Sequence, residues 1–289
     1  MAKVEKDAVT GTETTGHEWD GIKELNTPLP RWWLWTFYAT VIWSLGYVIA
    51  YPAIPLVSEA TKGMLGYSSR AEVAATIAEA KAAQSQYLEK IAAMPLEDIR
   101  KDQDLFQFAV AGGRSAFGVN CAPCHGSGAQ GAPGYPNLND DDWIWGGTLE
   151  AIHTTLLNGI RYEQNADTRE SQMPAFGRDE VLTRGQINDV ASYVLKLSGQ
   201  DHDAAAAGRG ETVFTENCVA CHNEGGTGNP ELGAPALNDA IWLYGNSRVQ
   251  IAAQVSNPRH GVMPAWAGRL DAATIKQLTL YVHSLGGGQ

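Results

Sequence analysis

Two five-residue stretches decide the reading: Cys121-Ala122-Pro123-Cys124-His125 and Cys218-Val219-Ala220-Cys221-His222. C-x-x-C-H is the attachment sequence of c-type haem. One helical turn presents both sulfurs to one porphyrin edge, where each thiol forms a thioether with a vinyl group. The adjacent His then lies beneath the iron and binds it through its imidazole. The chain has 4 cysteines, and the two motifs use all of them. Two other chemistries draw on the same residue types. A structural zinc site needs four ligands, and no further Cys is left to close one. A thioredoxin-like C-x-x-C sits beside a βαβ pattern, and alternating strand patterns are absent from this region. The expected cofactors are therefore two covalently bound haem c groups.

Reading outward from the motifs exposes an internal repeat. GRSAFGVNCAPCHG surrounds the first and GETVFTENCVACHN the second, so that Gly113 matches Gly210, Phe117 matches Phe214 and Asn120 matches Asn217. Downstream, PNLNDDDWIWGG from Pro136 matches PALNDAIWLYGN from Pro235, and MPAF from Met173 matches MPAW from Met263. Near each end, Ile187, Val190, Tyr193 and Val194 match Ile275, Leu278, Tyr281 and Val282. Four landmarks in one order describe a duplicated module, with bounds at 104–199 and 208–289. The segments before the cysteines and at the module ends carry apolar residues at helical spacing. Gly- and Pro-rich loops lie between, so each module is expected to be a small helical cytochrome c domain.

The chain has 5 methionines, and only Met173 and Met263 fall inside the modules, 48 and 41 residues past their histidines. Each precedes a Pro, which stiffens a loop able to deliver a thioether to the second face of the haem. Met as sixth ligand raises the potential relative to harder donors. A lone Met is usually core filling, but two in register within a duplicated haem module point to ligation. Met could close the haem of its own module or be exchanged. The completeness of each repeat favours the local arrangement. His260, close to Met263, has no counterpart in the first module and reads as a surface or hydrogen-bonding group. Trp143, Trp145, Trp242, Tyr244 and Trp266 follow the repeat and are expected to pack on haem. Two His/Met irons leave no open position for substrate. This favours electron transfer over catalysis by this chain.

The N-terminal third has a different character. Residues 32–51 read WWLWTFYATVIWSLGYVIAY, and no charged residue occurs between Arg31 and Glu59. About 20 apolar residues at 1.5 Å rise suffice to cross a bilayer. Trp32, Trp33 and Trp35 at one end, with Tyr47 and Tyr51 at the other, form the expected interfacial belts. Pro52 and Pro55 stop the helix. The run is too long for the apolar part of a cleaved signal. This gives an arm at 1–31, a single transmembrane anchor at 32–57 and a helical spacer at 58–103. The spacer is an Ala-rich stretch from Arg70 to Met94 that reads as a stalk or a bundle helix. Covalent haem attachment takes place outside the cytoplasm, so the N-terminus is expected inside and the modules outside. The fold class is all-α, an N-terminal transmembrane helix followed by two tandem cytochrome c domains.

Composition sets the outer limits. Lys and Arg number 21 against 32 Asp and Glu, a net charge of −11, which argues against nucleic acid as a partner. Residues 104–289 alone hold 11 basic and 19 acidic side chains, a net of −8. A negative face of this kind would steer a basic soluble carrier, and it would also serve plain solubility. An apolar share of 44% supplies ample core.

The run His17-Glu18-Trp19-Asp20-Gly21-Ile22-Lys23-Glu24-Leu25-Asn26-Thr27-Pro28-Leu29-Pro30-Arg31-Trp32-Trp33 resembles the N-terminal pattern of the di-haem subunit of cbb3-type cytochrome c oxidases, the FixP/CcoP family. Thr27 stands where another Asn would be expected. The resemblance implies a bacterial inner-membrane subunit with its haem domains in the periplasm. Such a subunit takes electrons from a cytochrome c donor and passes them to a mono-haem cytochrome c subunit and the catalytic haem–copper subunit, which reduces oxygen and translocates protons. Cys121, Cys124, His125 and Met173, with Cys218, Cys221, His222 and Met263, match the family's haem-binding positions. A free-standing membrane-anchored di-haem shuttle, or a di-haem peroxidase, are the alternatives from the residues alone.

Overall fold

The computed structural model describes residues 4–288; residues 1–3 of the arm and Gln289 of the second module lie outside the described residues. The chain divides into two compact units, Met1–Ala83 and Gln84–Gln289.

In the first unit the arm contains an antiparallel hairpin, β1 (Thr14–Trp19) and β2 (Ile22–Leu25). Its turn is Asp20-Gly21, with φ of 51° and 87°. Positive φ at both central residues is what a two-residue hairpin turn requires, and Asp-Gly supplies it cheaply. Helix α1 follows over Arg31–Ala50, and none of its residues is buried within the protein. Its 20 residues span about 30 Å, the thickness of a bilayer core. The polar side chains along it are satisfied by the helix itself: Thr36, Thr40 and Ser44 hydroxyls donate to the carbonyls of Trp32, Phe37 and Val41 at 3.0, 2.7 and 2.8 Å. Such internal pairing is what a lipid environment demands. Beyond Ala50 the chain leaves the helix at Tyr51-Pro52. Met64 and Leu65 fold back to donate to the carbonyls of Ile49 and Ala50 at 2.9 and 3.0 Å, capping the helix end. Residues 51–57, grouped with the anchor from sequence, are therefore loop. Within the described residues α1 is the one helix long and apolar enough to span a membrane.

Helix α2 (Ser69–Ala93) covers the Ala-rich stretch, as its strong helix formers dictate. It is exposed over its first turns, but Leu88, Ile91 and Met94 near its end join a core with Leu96 and Ile99 of α3 (Leu96–Lys101). The end of the spacer is thus part of a bundle. Lys276 secures it by donating to the carbonyls of Ala92 and Met94 at 2.8 and 2.7 Å.

The rest of the second unit contains α4 (Gln103–Asn120), α5 (Ala122–His125), α6 (Leu149–Asn158), α7 (Arg184–Leu197), α8 (Ala204–Asn217), α9 (Val219–His222), α10 (Arg248–Ser256) and α11 (Ala272–His283). Side-chain caps start the longer ones: Asp102, Thr148, Thr183, Asp203, Ser247 and Asp271 each accept from a first-turn N–H. Thr183 and Ser247 complete capping boxes with Gln186 and Gln250.

The pairing of these helices corrects the expectation that each repeat closes on itself. Helix α4 of the first repeat packs on α11 of the second, and α8 of the second packs on α7 of the first. Each crossing has the same construction. A Cβ on Gly113 would strike the Gln277 backbone and Tyr281, and a Cβ on Gly210 would strike the Asp189 backbone. Glycine is needed there because the backbones touch. One turn on, Phe117 tilts against Tyr281 with centroids at 5.4 Å, and Phe214 against Tyr193 at 5.2 Å. Both phenylalanines are 1% exposed. Each crossing therefore holds a large buried side chain, worth about 3–5 kcal/mol against truncation to Ala.

Two lobes result. The first combines α4, α5 and α6 with the segment from Met263 through α11, and its core includes Phe117, Cys121, Ile152, Leu156, Ile275 and Leu278. The second combines α8, α9 and α10 with the segment from Met173 through α7, around Phe214, Cys218, Ile251, Val255, Val190 and Val194.

Candidate haem sites

The two C-x-x-C-H stretches have the same local geometry. In each, the first Cys ends the preceding helix and its carbonyl accepts from the backbone N–H of the His four residues on: His125 to Cys121 and His222 to Cys218, both 2.9 Å. Cys124 and Cys221 donate to the same carbonyls at 3.1 Å. The tight turn holds the two sulfurs and the imidazole together on a short helix. All four thiols are free, with Cys121 and Cys218 buried and Cys124 and Cys221 exposed. Burial, with the neighbouring Cys adding to it, pushes the Cys121 and Cys218 thiols up to about 11.

The two histidines are held alike. Nδ1 of His125 bonds the Pro136 carbonyl and Nδ1 of His222 bonds the Pro235 carbonyl, each at 3.0 Å. A carbonyl can only accept, so Nδ1 bears the proton and Nε2 keeps its lone pair for a metal. This backbone partner fixes both tautomer and ring orientation. Burial lowers the pKa of both rings, opposed by the proline bond, so both are neutral. The loops that return the prolines match as well: Gly131 and Gly228 N–H donate to the His125 and His222 carbonyls at 2.8 and 3.0 Å. Leu138 and Leu237 N–H donate to Ala129 and Gly226 at 2.8 and 2.7 Å. The donor set, two thiols and one preset imidazole beside a core, fits covalent haem.

The methionines follow the exchanged packing. Met263 packs against the core that holds Cys121, and Met173 against the core that holds Cys218. The backbone after each is pinned to the same place. Trp266 and Ala267 donate to Leu156 and Leu157 of α6 at 2.9 and 3.3 Å, while Gly177 and Arg178 donate to Ser256 of α10 at 3.2 and 3.0 Å.

Of the repeat-matched aromatics, Trp143 and Trp266 join the first core and Trp242 the second. Trp143 also donates its indole N–H to the Gly287 carbonyl. Trp145 and its counterpart Tyr244 lie instead at the seam between repeats. Trp145 covers Gly233, and Tyr244 lies beside Gly134, whose N–H bonds the Leu243 carbonyl at 2.8 Å. Arginines stack on both: Arg169 and Arg161 on Trp145 at 5.4 and 6.0 Å, and Arg259 on Tyr244 at 4.5 Å. Asp142, at the same seam, is pushed up to about 6 by burial and then by the nearby charges of Asp239, Asp140 and Asp141. The arginines were not singled out from sequence. Their signal is a length difference: Asn158 precedes Met173 by 15 residues, whereas Asn257 precedes Met263 by 6. The lengthened loop carries Arg161 at its start and Arg169 among its extra residues.

Comparison with known proteins agrees with this architecture. Residues 11–58 match a family model described as the N-terminal domain of cytochrome oxidase-cbb3, FixP. Residues 108–194 and 205–282 each match the model for cytochrome c oxidase, cbb3-type, subunit III. Among similar proteins, the cbb3-type cytochrome c oxidase subunit FixPc of Rhizobium leguminosarum bv. viciae is 56% identical over 288 residues, covering 100% of both chains. The FixP subunit of Rhizobium etli is 53% identical and the CcoP subunit of Azospirillum brasilense 54% identical, again over 100% of both chains. With its anchor helix, its paired haem-attachment turns and full-length similarity, the chain belongs to the FixP/CcoP family, the membrane-anchored di-haem cytochrome c subunits of cbb3-type oxidases.

Proposed function

We propose that this chain is the electron-accepting subunit of a cbb3-type terminal oxidase and that its haem ligands are exchanged between repeats. Cys121, Cys124 and His125 attach the first haem and Met263 completes it. Cys218, Cys221 and His222 attach the second and Met173 completes it. The observation that carries this reading is that each C-x-x-C-H turn shares one buried core with one methionine, and that methionine comes from the other repeat. When bound, haem c supplies a one-electron iron couple. The protein's part would be to fix the imidazole through the proline carbonyl, to offer the methionine thioether as a second ligand, and to shield the group with the surrounding core.

The sequence modules 104–199 and 208–289 are then evolutionary units, while the working units are the interleaved lobes. The anchor α1 crosses the bacterial inner membrane, with the hairpin on the cytoplasmic side and both haem lobes in the periplasm, where haem is attached. Electrons enter from a cytochrome c donor and leave toward the mono-haem subunit and the catalytic haem–copper subunit. The net charge of −8 on residues 104–289 supports attraction of a basic donor. Purification from the native membrane tests the assignment. The chain should come out with a copper-containing oxidase and with haem that acid-acetone does not extract. Recovery as a lone di-haem protein would favour the free shuttle. An iron in the reduced protein that binds carbon monoxide and turns over peroxide would favour a peroxidase.

A further inference from the structure

One side chain reaches both methionine segments. Arg161 donates from Nε to the Gly261 carbonyl and from Nη1 to the Ser171 carbonyl, each at 2.8 Å. Gly261 lies two residues before Met263, and Ser171 lies two residues before Met173. The backbone beside Arg161 adds to the hold on one of them. Ile160 and Met263 exchange both N–H to carbonyl bonds, at 2.9 and 3.0 Å. Gly159 lies so close that a Cβ there would strike the Met263 carbonyl. Ser171 is brought within reach because the extra residues of the first repeat fold back, Arg161 N–H bonding the Arg169 carbonyl and Arg169 N–H the Gly159 carbonyl at 2.9 and 3.2 Å. Among the described residues no carboxylate pairs with Arg161, so its polar contacts serve these backbone carbonyls.

Counting three residues on from Asn158 and Asn257 gives Arg161 and His260. His260 hydrogen-bonds the Met173 backbone, and its Nε2 is buried without a partner. Each of these equivalent positions therefore leans on the other repeat's methionine, and Arg161 does so with side-chain bonds to both segments. A guanidinium suits this duty because its donors point in fixed, divergent directions, whereas an ammonium is a single point.

We propose that Arg161 is a positioning residue for both sulfur ligands at once, a tie that sets how firmly Met263 and Met173 reach their haems. This rests on the assignment of those two methionines as axial ligands. The tie predicts that one substitution loosens both haems together, although each haem is built on a different helix pair.

The test uses the full chain with haem attached, and reads the weak sulfur-to-iron absorption band of the ferric protein during titration with imidazole. In Arg161→Lys, which keeps the charge, imidazole should displace sulfur about tenfold more readily at both haems, with haem content unchanged. Arg161→Gln should do the same and lower both midpoints. Arg169→Lys, altered at a neighbouring arginine that bonds the Trp145 and Ala151 carbonyls instead, should leave imidazole displacement as in the parent. If Arg161→Lys weakens one haem or neither, the tie is refuted; if only the Gln variant responds, through its midpoints alone, charge is the whole effect. Met173→His and Met263→His serve as references. Should neither remove a sulfur band, the ligand assignment itself falls and takes the tie with it. Should they remove one band each while Arg161→Lys has no effect, the tie alone falls.

Discussion

The two lobes use the same parts and finish them differently. Both have a Gly–backbone crossing, a Phe–Tyr contact, a His–Pro bond and a methionine loop pinned to the end of the same helix. In the first lobe the spacer adds Leu88, Ile91, Leu96 and Ile99 to the outside of α4. Among the described residues the second lobe has no such cover. The long loop of the first repeat, which carries Arg161 and Arg169, lies instead at the seam, with Arg161 bonded to the Gly261 and Ser171 carbonyls. The difference teaches that duplication supplied the contacts, while asymmetry was added around them, where one lobe meets the spacer and both lobes meet each other.

The sharpest way to break this comparison is to separate the repeats. Expressed alone, residues 104–199 lack α11 and residues 208–289 lack α7, so neither should form a stable lobe, whereas co-expression of both should restore folding. Far-UV circular dichroism and haem retention would report it. Next in size, Phe117→Ala and Phe214→Ala should each destabilise the protein by about 3–5 kcal/mol in chemical denaturation. The first should loosen the haem on Cys121 and the second the haem on Cys218. Smaller still, Gly113→Ala and Gly210→Ala push a methyl into backbone and should cost about 1–3 kcal/mol each. Equal losses would show that the spacer does not buttress the first crossing, and a smaller loss at Gly113 that it does.

The smallest expected effect concerns the seam. Asp142 has its folded-state pKa raised to about 6 by burial and by Asp239. A raised carboxyl binds more protons folded than unfolded, so stability should fall as pH rises from about 4 to about 6. Asp142→Asn should flatten that window and stabilise the neutral protein by about 1 kcal/mol, after discounting for the partial exposure of the group. Asp239→Asn should move the window downward. Thermal denaturation across pH measures both.

Much of this was legible in the chain. The C-x-x-C-H turns, the repeat and the anchor each rest on local pattern. The hairpin was legible too, in Asp20-Gly21 between short β-prone segments, but a mixed-charge arm masks a motif whose faces are both exposed. The partner exchange was not legible. Gly113 with Phe117 suits Tyr193 as well as Tyr281, so the same sequence satisfies either closure, and only the three-dimensional course of the chain separates them. Arg161 could have been found by comparing the distances from Asn158 and Asn257 to the methionine that follows each. Which carbonyls it reaches could not, because backbone acceptors leave no mark in sequence.

The exchange itself is best tested with one haem at a time. In a chain carrying Cys218→Ser and Cys221→Ser, only the haem on Cys121 and Cys124 remains covalently attached. Redox titration of that haem should show a lowered midpoint with Met263→His and the parent midpoint with Met173→His. A shift caused by Met173→His, with Met263→His silent, would mean that each repeat closes on its own methionine after all.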